Sequence, residues 1–283
     1  MTILVTGARG DIGGRLVSLL TEGLTEGGHR VRGSARDATT LRLPEGAETA
    51  ELDLIDPHGA EHALRDVETM FLYPTRGDLG PFLRIAHGTG VRHVVLLSSP
   101  AAYDAGEYDR PIGLVHREAE RAVEESGLPY TVLYPSWLAS NARRDWAGQI
   151  RSLGRVGIAH PDAWVNPIHI DDVAEVAARL LTDDRHRGRM QVLTGPRSMR
   201  LRDVVTVLGD VLGRSVTVDE LTVEQALEQR EPWMPEPFLR GLLEVTAMAV
   251  GVPALVTNAV ERITGHPARE FAEWAQSHRA DFQ

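Results

Sequence analysis

The sequence encodes an α/β protein, a doubly wound parallel sheet with a smaller, mostly helical lobe toward the C-terminus. Three features point there. A β-branched run, Thr2 to Thr6, passes through clustered glycines into a segment with helical spacing of apolar residues, Ile12 to Leu20. Short, almost wholly apolar runs then alternate with amphipathic segments as far as Pro135, the pattern of strands covered on both faces by crossover helices. Beyond Pro135 this rhythm loosens and the chain turns mostly helical.

In order, the second to fifth strands are expected near Val31 to Ser34, Ala50 to Leu54, Thr69 to Tyr73 and Val91 to Ser99. A loop of small and turn-forming residues, Pro100 to Gly113, leads into a helix over Leu114 to Ser126, closed by Gly127 and Pro129. The sixth strand is Tyr130 to Tyr134. After an irregular segment to about Asn166, a helix is expected from Asp171 to Leu181 and a strand near Met190 to Leu193. Residues 1–150 then form a nucleotide-binding domain of Rossmann type to which 167–194 return, and 195–283 join 136–166 in a substrate-binding lobe.

Composition removes several function classes. A formal net charge of -10 with scattered arginines opposes nucleic-acid binding, which needs a basic surface to neutralise phosphates. No apolar stretch approaches the roughly 20 residues that cross a bilayer, and the N-terminus enters a strand without a signal-peptide pattern, so a cytoplasmic protein without membrane partners is expected. Cysteine is absent, which excludes disulfides, zinc–thiolate sites and thiol catalysis. Lysine is absent too: all 30 basic residues counted with arginine are arginines, as a GC-rich genome produces, so there is no Walker-type loop and no Schiff base. His58 and His62 share a helical face but lack a third ligand, so no metal is expected. Ser99, His169 and Asp171 supply the residue types of a hydrolase triad without a nucleophile elbow around the serine.

The glycine cluster carries the most chemistry. In Gly7-Ala8-Arg9-Gly10-Asp11-Ile12-Gly13 the first glycine allows a tight turn, the second lets a pyrophosphate approach the backbone, and the third lets helix pack on strand. The first amides of the helix then face the phosphates. Sites that prefer NAD place a carboxylate on the ribose about 20 residues further on. Here Val31 to Ala35 ends in Arg36 with no carboxylate, and Arg36 and Arg9 either offer a 2′-phosphate planar forks of donors, favouring NADPH, or are simply solvated. Asp53 and Leu54 follow the third strand, where Asp53 accepts a bond from the adenine amine or serves a turn ahead of Pro57.

These segments, with VVLLSS, HREAERAVEESGLPYTVLYPSWLASN, NPIHIDDVA and VERITGHPAREFAEWA, make the chain resemble the NmrA-like atypical short-chain dehydrogenase/reductases, a group that includes NADPH-dependent quinone reductases. The resemblance implies that Tyr73, Pro74 and Thr75 touch the cofactor and that Pro135 and Ser136 border the nicotinamide. Standard relatives use a tyrosine four residues before a lysine. Aligned on Glu120, this chain has Ile112 and His116 at those places, so the usual proton donor is missing, and Tyr103 and Tyr108 in the preceding loop have no lysine partner.

Ser98 and Ser99 end the fifth strand, where the family's carbonyl-orienting serine lies nearby; their hydroxyls polarise a carbonyl or bond to backbone or ribose. His116 holds the ribose, relays a proton with an ordinary pKa of roughly 6.5, or lies on the helix surface. Trp233, Met234, Phe238, Leu242 and Leu243 line the substrate lobe or belong to its core. The resulting expectation is a reductase that passes hydride from NADPH to a ketone or quinone carbonyl of a bulky aromatic substrate. Members of the group lacking the same residues extend this to aromatic polyketides of the angucyclinone type in antibiotic biosynthesis. The alternative is a non-catalytic sensor of NADP(H) that works through a protein partner.

Overall fold

The apolar runs assemble into one parallel sheet in a computed structural model that describes residues 1–23, 28–103, 111–188 and 190–283. Its first half comprises β1 (Thr2–Val5), α1 (Asp11–Thr21), β2 (Arg30–Ala35), β3 (Glu48–Glu51), α2 (Ala60–Ala63), β4 (Val67–Leu72), α3 (Gly80–Gly88), β5 (His93–Leu97), α4 (Pro111–Glu125) and β6 (Tyr130–Pro135). There follow α5 (Asn141–Leu153), β7 (Arg155–Ala159), β8 (Trp164–Val165), α6 (Ile170–Thr182), β9 (Met190–Leu193) and β10 (Met199–Arg200). The chain ends with α7 (Leu201–Leu212), β11 (Thr217–Leu221), α8 (Val223–Glu228), α9 (Glu236–Met248), α10 (Ala259–Thr264) and α11 (Phe271–Ser277).

The sheet order is β3-β2-β1-β4-β5-β6-β9 with every neighbouring pair parallel, a Rossmann-type α/β fold. Such strands need apolar side chains on both faces because helices cover both. β1, with all four residues buried, meets that demand. One face packs Leu16, Val17 and Leu20 of α1 against Val173, Ala174 and Ala177 of α6. The other packs Phe82 and Leu83 of α3 with Ala119 and Val123 of α4. β9 extends the sheet beside β6, and Ala259 and Val260 of α10 join the α1–α6 face although their segment reads as part of the lobe.

A third core lies beyond the sheet. There β7 and β11 pair in parallel, β8 and β10 pair antiparallel, and α5, α7 and α11 bury Trp146, Ile150, Val204, Leu208, Phe271 and Trp274. Sequence periodicity shows neither strand pair, because each is short and β11 leaves most of its residues exposed. No described helix is long and apolar enough to cross a membrane.

The tail motif quoted above clasps α6. Asp172 is fully buried, and Arg269 donates to it from its backbone amide at 2.8 Å and from its guanidinium. The same guanidinium reaches Glu175 at 2.5 Å, and His266 lies 2.6 Å from the other Glu175 oxygen. Burial pushes the Asp172 carboxyl up, against the pull of Arg269. Removing the cation leaves two carboxylates in low dielectric, so Arg269→Met is expected to lower the unfolding free energy by about 3–5 kcal/mol in urea titration. A loss below about 1 kcal/mol would show that the clasp contributes little beyond packing.

Candidate active site

The sheet order reverses beside β1, with β2 on one flank and β4 on the other, and in open α/β sheets ligands bind in the crevice at this point. The glycine loop sits at its mouth. Gly7 has φ +66°, and the Tyr73 Cβ lies 3.0 Å, and its ring 3.2 Å, from where a Gly7 Cβ would stand. The Gly10 amide donates to the Gly7 carbonyl at 2.9 Å, and a Cβ on Gly13 would lie 2.3 Å from that same oxygen. Gly10 caps α1 with no side-chain bond, leaving the first-turn amides without a side-chain partner, while Ile12 anchors the helix in the core. A dinucleotide pyrophosphate fits this cradle: free amides, a helix N-terminus and no side chain between them. Asp11 points outward and pairs with Arg143 of α5 at 2.7 Å, tying the loop to the next layer.

Arg9 and Arg36 are both exposed, at the ends of β1 and β2. Arg32 is buried instead, bonded to Glu48 and to the Ala63 and Arg65 carbonyls. The first acidic side chain past Arg36 is Asp37, which caps the following turn by accepting from the Thr39 amide at 2.9 Å and hydroxyl at 2.6 Å. These bonds, with nearby Arg9, hold its carboxyl below the usual range. Asp53 is half-buried and accepts from the Ile55 amide at 2.9 Å, the turn role open to it in the sequence; Leu54 is half-buried beside it. After β4, Tyr73 is exposed, Pro74 buried and Thr75 half-buried, and the Tyr73 amide donates to the Thr6 hydroxyl at 2.8 Å.

The two serines after β5 diverge, as successive residues of extended chain must. Ser98 is buried and donates to the Glu120 carboxylate on α4. Ser99 is half-buried, lines a cavity, and accepts from the Ala101 amide at 3.2 Å. On the Ser98 side, Tyr134 meets Tyr103 hydroxyl to hydroxyl at 2.7 Å, and burial, then that bond, then Glu120 raise the Tyr134 phenol far above its ordinary value. Neither Glu120 nor Tyr134 stands out in the sequence as a site residue; their contact is tertiary.

One turn before Glu120, His116 is half-buried, its Nδ1 has no partner among the described residues, and burial lowers its pKa to about 4. The ordinary value assumed from sequence therefore does not hold, because α4 lays the ring against the protein. Tyr108 lies outside the described residues. Asp171 pairs with Arg15 at 3.2 Å, and the His169 Nδ1 accepts from the Asp171 amide as the cap of α6, so His169 and Asp171 serve the helix. Among the described residues no cluster of three metal-ligating side chains occurs.

The cavity has a volume of about 580 Å³ and opens beside Ser99, Pro135 and Ser136. Ser136 is fixed by donating to the Asn166 carbonyl at 2.7 Å. Tryptophans from four places line the walls: Trp137 after β6, Trp146 on α5, Trp164 on β8 and Trp233 before α9. Trp137 lies tilted against Trp146, with ring centres 5.7 Å apart, and against Phe271 of α11 at 6.5 Å. Met234, Leu242 and Leu243 line it as anticipated, whereas Phe238 does not. Asn141, Arg144 and Gln149 of α5 supply polar groups that sequence reading missed.

A switch-point crevice with a phosphate cradle, opening toward an aromatic-walled cavity, defines a dinucleotide-dependent enzyme of the Rossmann type. Comparison with known proteins agrees: residues 7–184 match the NAD(P)H-binding family. The chain belongs to that family and is an NAD(P)H-dependent reductase, and its fold is similar to that of NmrA, a negative transcriptional regulator solved with NADP, at a TM-score of 0.73 and 16% identity over 97% of this chain. It is 34% identical over 284 residues to the (4-alkanoyl-5-oxo-2,5-dihydrofuran-3-yl)methyl phosphate reductase of Streptomyces griseus, covering 99% of both chains. It is 32% identical to the NAD(P)H azoreductase of Xenophilus azovorans, again over 99% of each. In three dimensions it resembles the NADPH-dependent quinone oxidoreductase QOR2 of Escherichia coli, with a TM-score of 0.79, 22% identity, and 98% and 99% of the two chains covered.

Two of the loop glycines separate fold from cofactor. Gly13→Ala forces a methyl into the Gly7 carbonyl, so it is expected to lower the melting temperature of the cofactor-free protein by several degrees and to weaken cofactor binding at least about tenfold. Gly10 has φ -82°, and its Cβ would meet only the Gly7 carbonyl, at 3.4 Å. Gly10→Ala should leave the cofactor-free melting temperature within about 1 °C yet weaken NADPH, because the methyl occupies the phosphate approach. Equal melting temperatures for the two variants would contradict this division.

Proposed function

We propose that this reductase uses NADPH to reduce a ketone or quinone carbonyl on a bulky aromatic substrate seated in the tryptophan-walled cavity. The observation that carries the reading is that Ser99, just past the C-terminal end of β5, lines the cavity together with Pro135 and Ser136. NADPH supplies the hydride when bound. Gly7, Gly10 and Gly13, with the exposed Asp11 and buried Ile12 of the helix start, are the residues that would seat its pyrophosphate. Arg9 and Arg36 would take its 2′-phosphate, Asp53 and Leu54 its adenine, and Tyr73, Pro74 and Thr75 its central part.

The remaining chemistry falls to a few side chains. Ser99 accepts from the Ala101 amide, which leaves its own O–H to donate to a carbonyl in the cavity and stabilise the developing oxyanion. Ser98 spends its proton on Glu120 and acts by fixing α4 against β5. His116, with its pKa near 4, is neutral at pH 7, so it offers the cofactor ribose a hydrogen bond but supplies no proton. Tyr134 holds its proton too tightly to serve as an acid.

With no acid poised near neutrality at these positions, the best substrates are those whose reduced oxygen needs little help. A quinone yields a phenolate-like oxygen of low basicity, and an aromatic ketone flanked by its own phenol carries a donor with it. Polycyclic aromatic ketones of the polyketide type meet both requirements of size and chemistry. The relatives fit this picture, since a dihydrofuran bearing oxo and alkanoyl groups, an azo bond and a quinone are all electron-poor conjugated acceptors.

NADPH consumption, followed by absorbance, with a panel of quinones, phenolic polycyclic ketones and simple aliphatic ketones tests the proposal. Turnover is expected with the first two groups and at least about a hundredfold less with the third. Consumption with aliphatic ketones alone, or with no member, would overturn it. For the cofactor, Arg36→Ala is expected to raise the Kd for NADPH by about tenfold or more and to leave NADH nearly unchanged, because only NADPH offers a phosphate to the guanidinium fork. Parallel losses for both cofactors would remove Arg36 from the 2′-phosphate site.

A further inference from the structure

The cavity wall carries one feature that carbonyl reduction does not require. Between α8 and α9, residues 229–235 cross the cavity as a short connection stiffened by Pro232 and Pro235, and Gln229, Arg230, Glu231, Trp233 and Met234 all line it. Trp233 stays 56% exposed, so the connection forms an open rim.

The charged lining groups are Arg144, Asp145, Arg230 and Glu231. Arg144 is neutralised by Asp145 through a two-pronged contact of 2.6 and 2.8 Å. Among the described residues nothing neutralises Arg230. Its guanidinium donates to the Leu227 carbonyl at 3.0 Å, which folds it back over the C-terminal end of α8, and it forms no ion pair among the described residues, its neighbour Glu231 included. An oriented cation with no ion-pair partner among the described residues thus sits on the wall of a largely apolar cavity, in a protein whose formal net charge is -10.

We propose that Arg230 is a specificity residue that selects substrates bearing an anionic oxygen group, such as a phosphate, sulfonate or carboxylate, on the conjugated ring system. This rests on the reductase reading above and names the substrate class of the same cavity. The tryptophans hold the rings, Ser99 meets the reducible carbonyl, and the planar fork of Arg230 takes the anion at the rim. Because the contact is made equally before and during hydride transfer, it acts on KM rather than kcat.

The test compares 1,4-naphthoquinone with 1,4-naphthoquinone-2-sulfonate on wild type, Arg230→Gln and Glu231→Gln. Arg230→Gln is expected to lower kcat/KM for the sulfonate, relative to the neutral quinone, by about tenfold, mainly through KM. Added salt should raise the sulfonate KM of wild type and not that of Arg230→Gln. Glu231→Gln should shift the ratio the opposite way. Equal effects of Arg230→Gln on both quinones, or none, would overturn the proposal.

If wild type reduces neither quinone, the reductase reading fails for this class, and the Arg230 site is decided by calorimetric titration with naphthalene-2-sulfonate and 2-naphthol. A sulfonate-selective loss of affinity in Arg230→Gln upholds the anion site on its own. Its absence overturns it. Arg230 is exposed, so a melting temperature within about 1 °C of wild type establishes that the variant is folded.

Discussion

The close passage of α1 across the end of β1, which only Gly13 permits, is the constraint on which the site depends. With the Gly7 carbonyl 2.3 Å from any Cβ at Gly13, the helix approaches the strand more closely than any side chain allows. That approach aims the first amides of α1 at the crevice and brings its apolar side against α6. Alanines at 174, 177 and 178 let that second helix come close in turn, and Arg15 and Asp171 secure its N-terminal end. The phosphate cradle and the α1–α6 core are thus two outcomes of one backbone contact.

From that frame the region around β5 and α4 carries no lysine-assisted tyrosine. A tyrosine acid needs a neighbouring cation to lower its pKa, and no lysine exists in the chain to provide one. The groups that fill the region stabilise structure instead. Ser98 and Glu120 join β5 to α4, while Tyr134 and Tyr103 share a hydrogen bond over the outer part of the sheet. Burial lowers the His116 pKa and raises that of Tyr134, moving both away from neutrality.

Much of this was legible in the sequence because parallel strands covered by helices announce themselves. VVLLSS and TILVT are continuous apolar runs bounded by turn residues, and the glycine spacing states its purpose locally. The seven-stranded sheet, including the return of the chain at Met190, follows from such signals. β7 and β11 escaped because their partners lie some sixty residues apart and TVDEL, with Asp219 and Glu220 adjacent and exposed, breaks the alternation of a strand. The roles of Glu120, Tyr134, Asn141 and Arg144 were hidden for a related reason: each acquires meaning only from what the fold brings beside it. Arg230 belongs with them, since its distinguishing feature is that it has no ion-pair partner among the described residues, and sequence does not display that.

The tail shows how far the site extends beyond its lining. Arg269 locks residues 266–269 onto α6, and the chain then enters α11, where Phe271 and Trp274 stack with centres 5.6 Å apart. Phe271 in turn supports Trp137, whose neighbour Ser136 is bonded to Asn166 at the cavity mouth. A buried ion pair on the sheet's helical layer is therefore connected, through three aromatic rings, to the wall of the cavity. Buried charge of this sort is costly in free energy compared with apolar packing, and its use is specificity of arrangement. Here it fixes the register of the C-terminal segment on α6, so that the cavity floor is set by the same helix layer that holds the cofactor loop.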